Sequence, residues 1–120
     1  MRYAALMHKL FEQTQLDNWQ GTARTPHFEV DGTIVGLIPK GDSGLVVYVD
    51  LGHQPGNEIQ LLEYNARAND EVSGCFVVVP NSGKVAYRFD VPLDALERTP
   101  SLPAWLQARV NQARTALASA

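Results

Sequence analysis

The segment that most constrains the architecture runs from Ile59 to Ala118 and reads IQLLEYNARAND (59–70), CFVVV (75–79), VAYRFDV (85–91) and LPAWLQARVNQARTALA (102–118). The first and last pieces have apolar residues at the three-and-four spacing of amphipathic helices. The two pieces between them are rich in the β-branched and aromatic residues of strands, and Pro80-Asn81-Ser82-Gly83 predicts a turn that joins them. This segment therefore predicts a helix, two strands and a second helix.

The helix predicted at Glu58–Asn69 has two apolar stripes instead of one. They are Ile59, Leu62 and Ala66, and, nearly opposite on the helical wheel, Leu61, Tyr64 and Ala68. A helix in a small domain needs one stripe to dock on its own sheet, so a second stripe indicates contact with another subunit. The alternative is that Leu61 and Tyr64 lie under a loop of the same chain.

The N-terminal half predicts one more helix and three strands. The helix is expected at about Tyr3–Leu16, and the strands at His27–Val30, Thr33–Ile38 and Leu45–Leu51. Asp31-Gly32 lies between the first two strands and is a strong signal for a two-residue hairpin turn. The predicted order is α-β-β-β-α-β-β-α. Helices separated by runs of strands predict an α+β fold, a twisted antiparallel sheet flanked by helices.

Composition and charge narrow the possible partners and location. The chain has 120 residues, a length typical of one domain with its own core, and a net charge of −3 without a run of basic residues. Nucleic acid is therefore not an expected partner. No stretch approaches ~18 consecutive apolar residues, and His8, Lys9 and Glu12 interrupt the start of the chain, so neither a membrane span nor a signal peptide is expected. These features predict a cytosolic protein.

Side chains that carry catalysis or bind metals do not cluster in the sequence. Cys75 begins an apolar strand without a neighbouring base or cation, where a free thiol is typically a small buried hydrophobe. The histidines stand alone, and metal-ligand spacings are missing. Gly32, Gly36, Gly41 and Gly44 lie between predicted strands instead of between a strand and the start of a helix, so a phosphate-binding loop is not expected. The sequence predicts a protein that is not an enzyme and has no catalytic residues, metal or cofactor.

Two short motifs follow each other in the middle of the chain. They are Asp50-Leu51-Gly52 and, after a loop, Leu61-Leu62-Glu63-Tyr64-Asn65. With the two strands that follow, the Val91-Pro92-Leu93 edge and the long final helix, this pattern resembles the class I type III secretion chaperones of the SycE and CesT type, in which a Leu-Leu-x-x-Asn helix follows the third strand. The first half agrees in the order of its elements. Bacterial YbjN-like domains share the same fold and the same Asn-containing helix.

The resemblance implies a homodimer in the bacterial cytoplasm that binds the N-terminal segment of a secreted effector in a partly extended form, without a nucleotide. The helix stripe formed by Leu61, Tyr64 and Ala68 is then the expected dimer interface. The effector is expected to pass over apolar surface of the first helix and the first three strands, at Leu6, Leu10, Phe28, Ile34, Val35 and Leu37. The alternative is a regulatory or sensory domain of YbjN type that binds a folded partner.

Overall fold

A computed structural model describes residues 2–14, 27–67, 74–79 and 82–119 of the chain. In these ranges the elements are, in order, α1 (Arg2–Thr14), β1 (His27–Val30), β2 (Thr33–Lys40), β3 (Gly44–His53), α2 (Glu58–Arg67), β4 (Gly74–Val78), β5 (Lys84–Pro92), α3 (Leu93–Glu97) and α4 (Leu102–Ser119). The predicted α+β order is confirmed, and the short helix α3 is added to it. Ala68 and the predicted ends of the first two helices lie outside the described residues.

The five strands form one antiparallel sheet in the order β1-β2-β3-β5-β4. The first three strands follow each other as hairpins. The connection through α2 then carries the chain past one strand position, and the β4–β5 hairpin brings β5 back beside β3. Among the described strands, β1 and β4 are therefore the edges and β5 lies in the interior.

The β1–β2 hairpin has the turn that its sequence predicts. Asp31 and Gly32 have φ values of 51° and 77°, as a type I′ turn requires. Arg114 of α4 holds this turn: its Nη1 lies 2.9 Å from Asp31 Oδ2, and its Nη2 donates to the Asp31 carbonyl at 2.8 Å and to the Thr33 hydroxyl. A side chain of the last helix therefore fixes the position of the first hairpin.

The core lies on one face of the sheet because side chains alternate along each strand. The buried strand residues of this core face are Phe28, Val35, Leu37, Leu45, Val47, Val49, Phe76, Val85, Tyr87 and Phe89. Leucines from all four described helices pack into the same core, among them Leu6, Leu61, Leu93 and Leu106. Phe76, Tyr87 and Phe89 contact one another edge to face, with ring centroids 4.9 and 5.0 Å apart.

Helix α1 docks on this core through an apolar stripe in which Leu6, Met7 and Leu10 are buried. The Tyr3 hydroxyl donates to the Leu37 carbonyl at 3.0 Å, and burial raises the pKa of Tyr3 to about 12. Lys9 Nζ donates to the Thr99 carbonyl at 2.9 Å. Two side-chain contacts therefore tie α1 to the rest of the domain in addition to its apolar packing.

Candidate functional site

The face of the sheet opposite the core is the first candidate surface, and we call it the open face. All the described helices pack on the core face, which leaves the open face without a helical cover in the described part of the chain. It contains a concavity of about 480 Å³, lined by residues of all five strands: His27, Ile34, Gly36, Ile38, Tyr48, Asp50, Val77, Val78, Val79, Lys84, Ala86 and Arg88. An uncovered, mostly apolar hollow is the default candidate for a binding site.

Small residues give the concavity its shape. Gly36 and Ala86 lie on the open face of two inner strands. Both residues are buried, and neither has a large side chain that would fill the concavity. A Cβ atom at Gly36 would come within 3.4 Å of His27 Cδ2, so the imidazole of β1 lies close over this glycine. Ile34 and Ile38 flank Gly36 on the same face of β2, so the surface is depressed at the glycine between two branched side chains.

A cation at the centre of the open face is held by an aromatic ring and a carboxylate. The Arg88 guanidinium lies 5.9 Å from the centroid of the Tyr48 ring, and its Nη2 donates to Asp90 Oδ1 at 3.1 Å. Burial acts to raise the pKa of Asp90, but the hydrogen bond from Arg88 and the charges of Arg88 and Lys40 outweigh it and lower that pKa. Lys40 Nζ lies 3.5 Å from the same Asp90 oxygen.

A second ion pair lies at the other end of the concavity. Lys84 Nζ is 3.9 Å from Asp50 Oδ2, and both side chains are partly exposed. The described cations that line the concavity therefore have carboxylate neighbours, so the surface combines apolar area with charge pairs and lacks the excess positive charge of a phosphate-binding surface. Such a composition suits a polypeptide ligand.

The outer face of α2 is the second candidate surface. Ile59 is 72% exposed and Leu62 is 52% exposed, whereas Leu61 is only 3% exposed and belongs to the core. Tyr64 packs edge to face on Phe76, with ring centroids 5.5 Å apart. The outer stripe is therefore exposed, whereas Leu61 and Tyr64, which were assigned to the dimer interface, dock on the chain's own sheet; Ala68 lies outside the described residues. This is a correction, and its physical reason is that Leu61 joins the core cluster while Tyr64 packs on the Phe76 ring of β4.

The six residues predicted to contact an effector do not form one accessible surface. Ile34 is 49% exposed on the open face. The other five are at most 5% exposed in the core, which corrects their assignment to a contact surface: Leu6, Leu10, Phe28, Val35 and Leu37. Strand alternation explains the split, because Phe28 pairs with Val35 on the core face whereas Ile34 points the other way.

Cys75 differs from the prediction of a buried thiol without a neighbouring cation. It is half-buried on the open face of β4, directly opposite Arg88 of β5 in the register. The sequence predicted this hairpin, but no register was assigned to it, and the register is what sets Cys75 opposite Arg88. The continuous β-prone run around Tyr48 was the sequence signal for the open face, since it indicates that both faces of β3 are covered or that one of them is used for contacts.

The described residues contain no cluster of three or more His, Cys, Asp or Glu side chains that could hold a metal ion. Within the same residues, none of the helices combines the length and apolar character that a bilayer crossing requires.

Comparisons with known proteins show which fold this geometry belongs to. No protein-family model matches the chain, and no curated protein matches it. Among solved structures, it is similar to the Yersinia pestis type III secretion chaperone SycH in complex with a stable fragment of YscM2, with 18% identity, a TM-score of 0.64 and coverage of 94% of this chain and 98% of that one. It is also similar to a chain of the ExoT–SpcS complex from Pseudomonas aeruginosa, with 18% identity, a TM-score of 0.60 and coverage of 98% and 96%. The chain has the fold of the type III secretion chaperones, as its motifs predict.

Proposed function

We propose that this protein is a dedicated bacterial cytoplasmic chaperone that binds the N-terminal segment of a type III secreted effector and keeps it soluble for export. The observation that carries the proposal is the open face, an apolar hollow of about 480 Å³ on a sheet whose other face carries the main hydrophobic cluster of the described residues. The similar structures support it, because one is a chaperone in complex with a protein fragment and the other is a complex of two named proteins.

The open face suits an extended or partly folded segment with apolar side chains. Ile34, Ile38 and Val77 supply apolar contact area, and the half-exposed Ile34 has the most area left to bury. The paired charges at Asp90 and Asp50 lie beside this area, where a polar backbone or side chain can be accommodated without leaving a charge unpaired.

We propose further that the protein is a homodimer, with the outer stripe of α2 as the contact. Ile59 and Leu62 expose large apolar side chains on one side of this helix, and the exposed Ala66 follows one turn later. In a two-fold dimer this stripe would pack against the same stripe of a second copy. In this proposal the dimer contact is still formed by α2, but through Ile59 and Leu62 instead of Leu61 and Tyr64.

The experiment is co-expression with N-terminal fragments of secreted proteins encoded beside this chain, followed by recovery of the purified complex. Ile34→Asp places a charge on the open face and should abolish recovery of the fragment, while the protein stays folded. Ala108→Asp, a change at an exposed position of α4 on the core side of the sheet, is the matched control and should retain the fragment.

The result against the proposal is equally specific. Equal recovery of the fragment by the Ile34→Asp and Ala108→Asp variants would place the binding surface elsewhere. Failure of every secreted fragment to bind, together with tight binding of a folded protein, would favour the regulatory domain of YbjN type.

A further inference from the structure

Asn65 of α2 makes an unusual contact with the edge of the sheet. Its Nδ2 donates to the Phe76 carbonyl at 2.8 Å, and the Phe76 N–H donates to its Oδ1 at 2.7 Å. One carboxamide thus satisfies both backbone groups of one residue. A residue of a neighbouring antiparallel strand makes the same two hydrogen bonds when it faces its partner in a hydrogen-bonded pair.

The backbone groups that Asn65 occupies are those that a new strand would use. Among the described strands, β4 is an edge strand, paired with β5 on one side. Val79 N–H donates to the Lys84 carbonyl at 2.9 Å, so the residues of odd number in β4 direct their backbone groups towards β5. The residues of even number direct theirs outward, and Phe76 is the middle one of the strand.

The carboxamide is held in place by the packing of its own helix. Leu61 lies one turn before Asn65 and is buried in the core, and the neighbouring Tyr64 packs on the Phe76 ring. A planar group with one donor side and one acceptor side is needed to match both groups of Phe76, and this restricts the position to Asn or a close analogue. The geometry is therefore built by α2 and β4 together.

We propose that Asn65 closes the β4 edge against strand addition, so that β4 cannot pair with the β4 strand of a second copy. The need for such a device follows from the edge itself, which reads Phe76-Val77-Val78-Val79 and exposes Val78 at 45% and Val79 at 38%. An apolar, β-prone edge with free backbone groups is a template for edge-to-edge association. The inference does not depend on the proposed chaperone function.

Amide hydrogen exchange tests the contact directly in the full chain. Asn65→Leu removes both hydrogen bonds, and the Phe76 amide should then exchange about tenfold faster or more, because its only described acceptor is lost. The Val77 amide faces β5 and should keep its wild-type rate. Gln60→Leu, at an exposed position of the same helix, is the matched control and should change neither rate.

Cys75 provides a second readout, since it is the single cysteine of the chain and lies on the same edge strand. A short bismaleimide should link two copies of the Asn65→Leu variant through Cys75 several-fold more than it links wild-type or Gln60→Leu copies. Adding Val78→Lys, a charge on the edge, should bring the cross-linking of the Asn65→Leu variant back to the wild-type level.

Two results would overturn the inference. One is a Phe76 amide that exchanges at the same rate in wild type and variant. The other is faster exchange without any increase in cross-linking, which would leave Asn65 as a helix-docking residue only. If Asn65→Leu does not fold, Asn65→Ala removes the carboxamide without added bulk, and the same two results apply to it.

Discussion

Two adjacent leucines of α2 offer a sharp test of how this helix is oriented. Leu61 is 3% exposed and lies in the core, whereas Leu62 is 52% exposed on the outer stripe. The substitutions Leu61→Ala and Leu62→Ala delete the same atoms at neighbouring positions of one helix. Differences in helix propensity therefore cancel between them, and the two variants differ only in what the side chain touches.

The magnitudes follow from burial. A buried Leu→Ala change costs about 2–5 kcal/mol, and Leu61 should fall in the lower half, about 2–3 kcal/mol, because it lies near the edge strand where neighbours can relax. Leu62 has lost only about half of its surface to packing, so its truncation should cost roughly 1 kcal/mol or less. In a domain of this size the first value corresponds to a fall in Tm of roughly 10 °C.

The assay is urea denaturation followed by circular dichroism, run at two protein concentrations at least twentyfold apart. The loss from Leu61→Ala should be independent of concentration, since that side chain packs within its own chain. Any loss from Leu62→Ala relative to wild type should shrink as the protein is diluted, because it acts through self-association, and dilution also removes that stabilisation from the wild type. Light scattering should show that Leu62→Asp is monomeric. Equal destabilisation by both alanine variants at both concentrations would refute this orientation of α2.

The other predictions concern the two faces of the sheet and single side chains of the core. Val35→Asp should unfold the protein by placing a charge at a site with 0% exposure, whereas Ile34→Asp should leave a cooperative unfolding transition. Tyr3→Phe should cost about 1 kcal/mol through loss of the bond to Leu37, and should reduce the loss of stability above about pH 10, because the raised pKa of Tyr3 makes ionisation unfavourable in the folded state. Tyr87→Phe should be neutral or stabilising, because among the described residues its buried hydroxyl has no hydrogen-bond partner. The denaturation midpoints of Tyr3→Phe and Tyr87→Phe, compared with wild type, test both predictions. Cys75→Ala should retain fragment binding and cost at most about 1 kcal/mol, because the side chain is only half-buried; recovery of the complex and a melting curve check this.

The local parts of the fold could be predicted from the sequence. Asp31-Gly32 gave the first hairpin its turn and register, because the preference of this pair for positive φ is a property of two adjacent residues. The spacing of apolar residues predicted the helices. The insertion of β5 between β3 and β4 could not be predicted in this way, since it depends on pairing between segments that are distant in the chain.

The candidate site was harder to predict because α2 and β2 each have two apolar faces, and the sequence does not distinguish the buried face from the exposed one. The two stripes of α2 are both apolar. Phe76, on a later strand, decides between them because it packs against Tyr64 and pairs with the Asn65 carboxamide, and this orientation turns Leu61 into the core. In β2, Ile34 and Val35 are equally apolar, and only the pairing of Phe28 with Val35 determines which of them is buried. Contacts with residues distant in the sequence determine which face of α2 and of β2 is buried, and a single sequence does not contain these contacts.

The position of α4 sets an order of events during synthesis. This helix packs on β1, β2 and β3, and its Arg114 reaches the Asp31 turn across 83 residues of sequence. At about 5–20 residues per second, the first three strands leave the ribosome several seconds before their cover does. Throughout that interval the part of the core face that α4 covers in the finished domain lacks that cover. A chain that ends before Leu102 would lack both this cover and the Arg114 contact with the first hairpin, so we expect it to be more easily cleaved by proteases than the full chain.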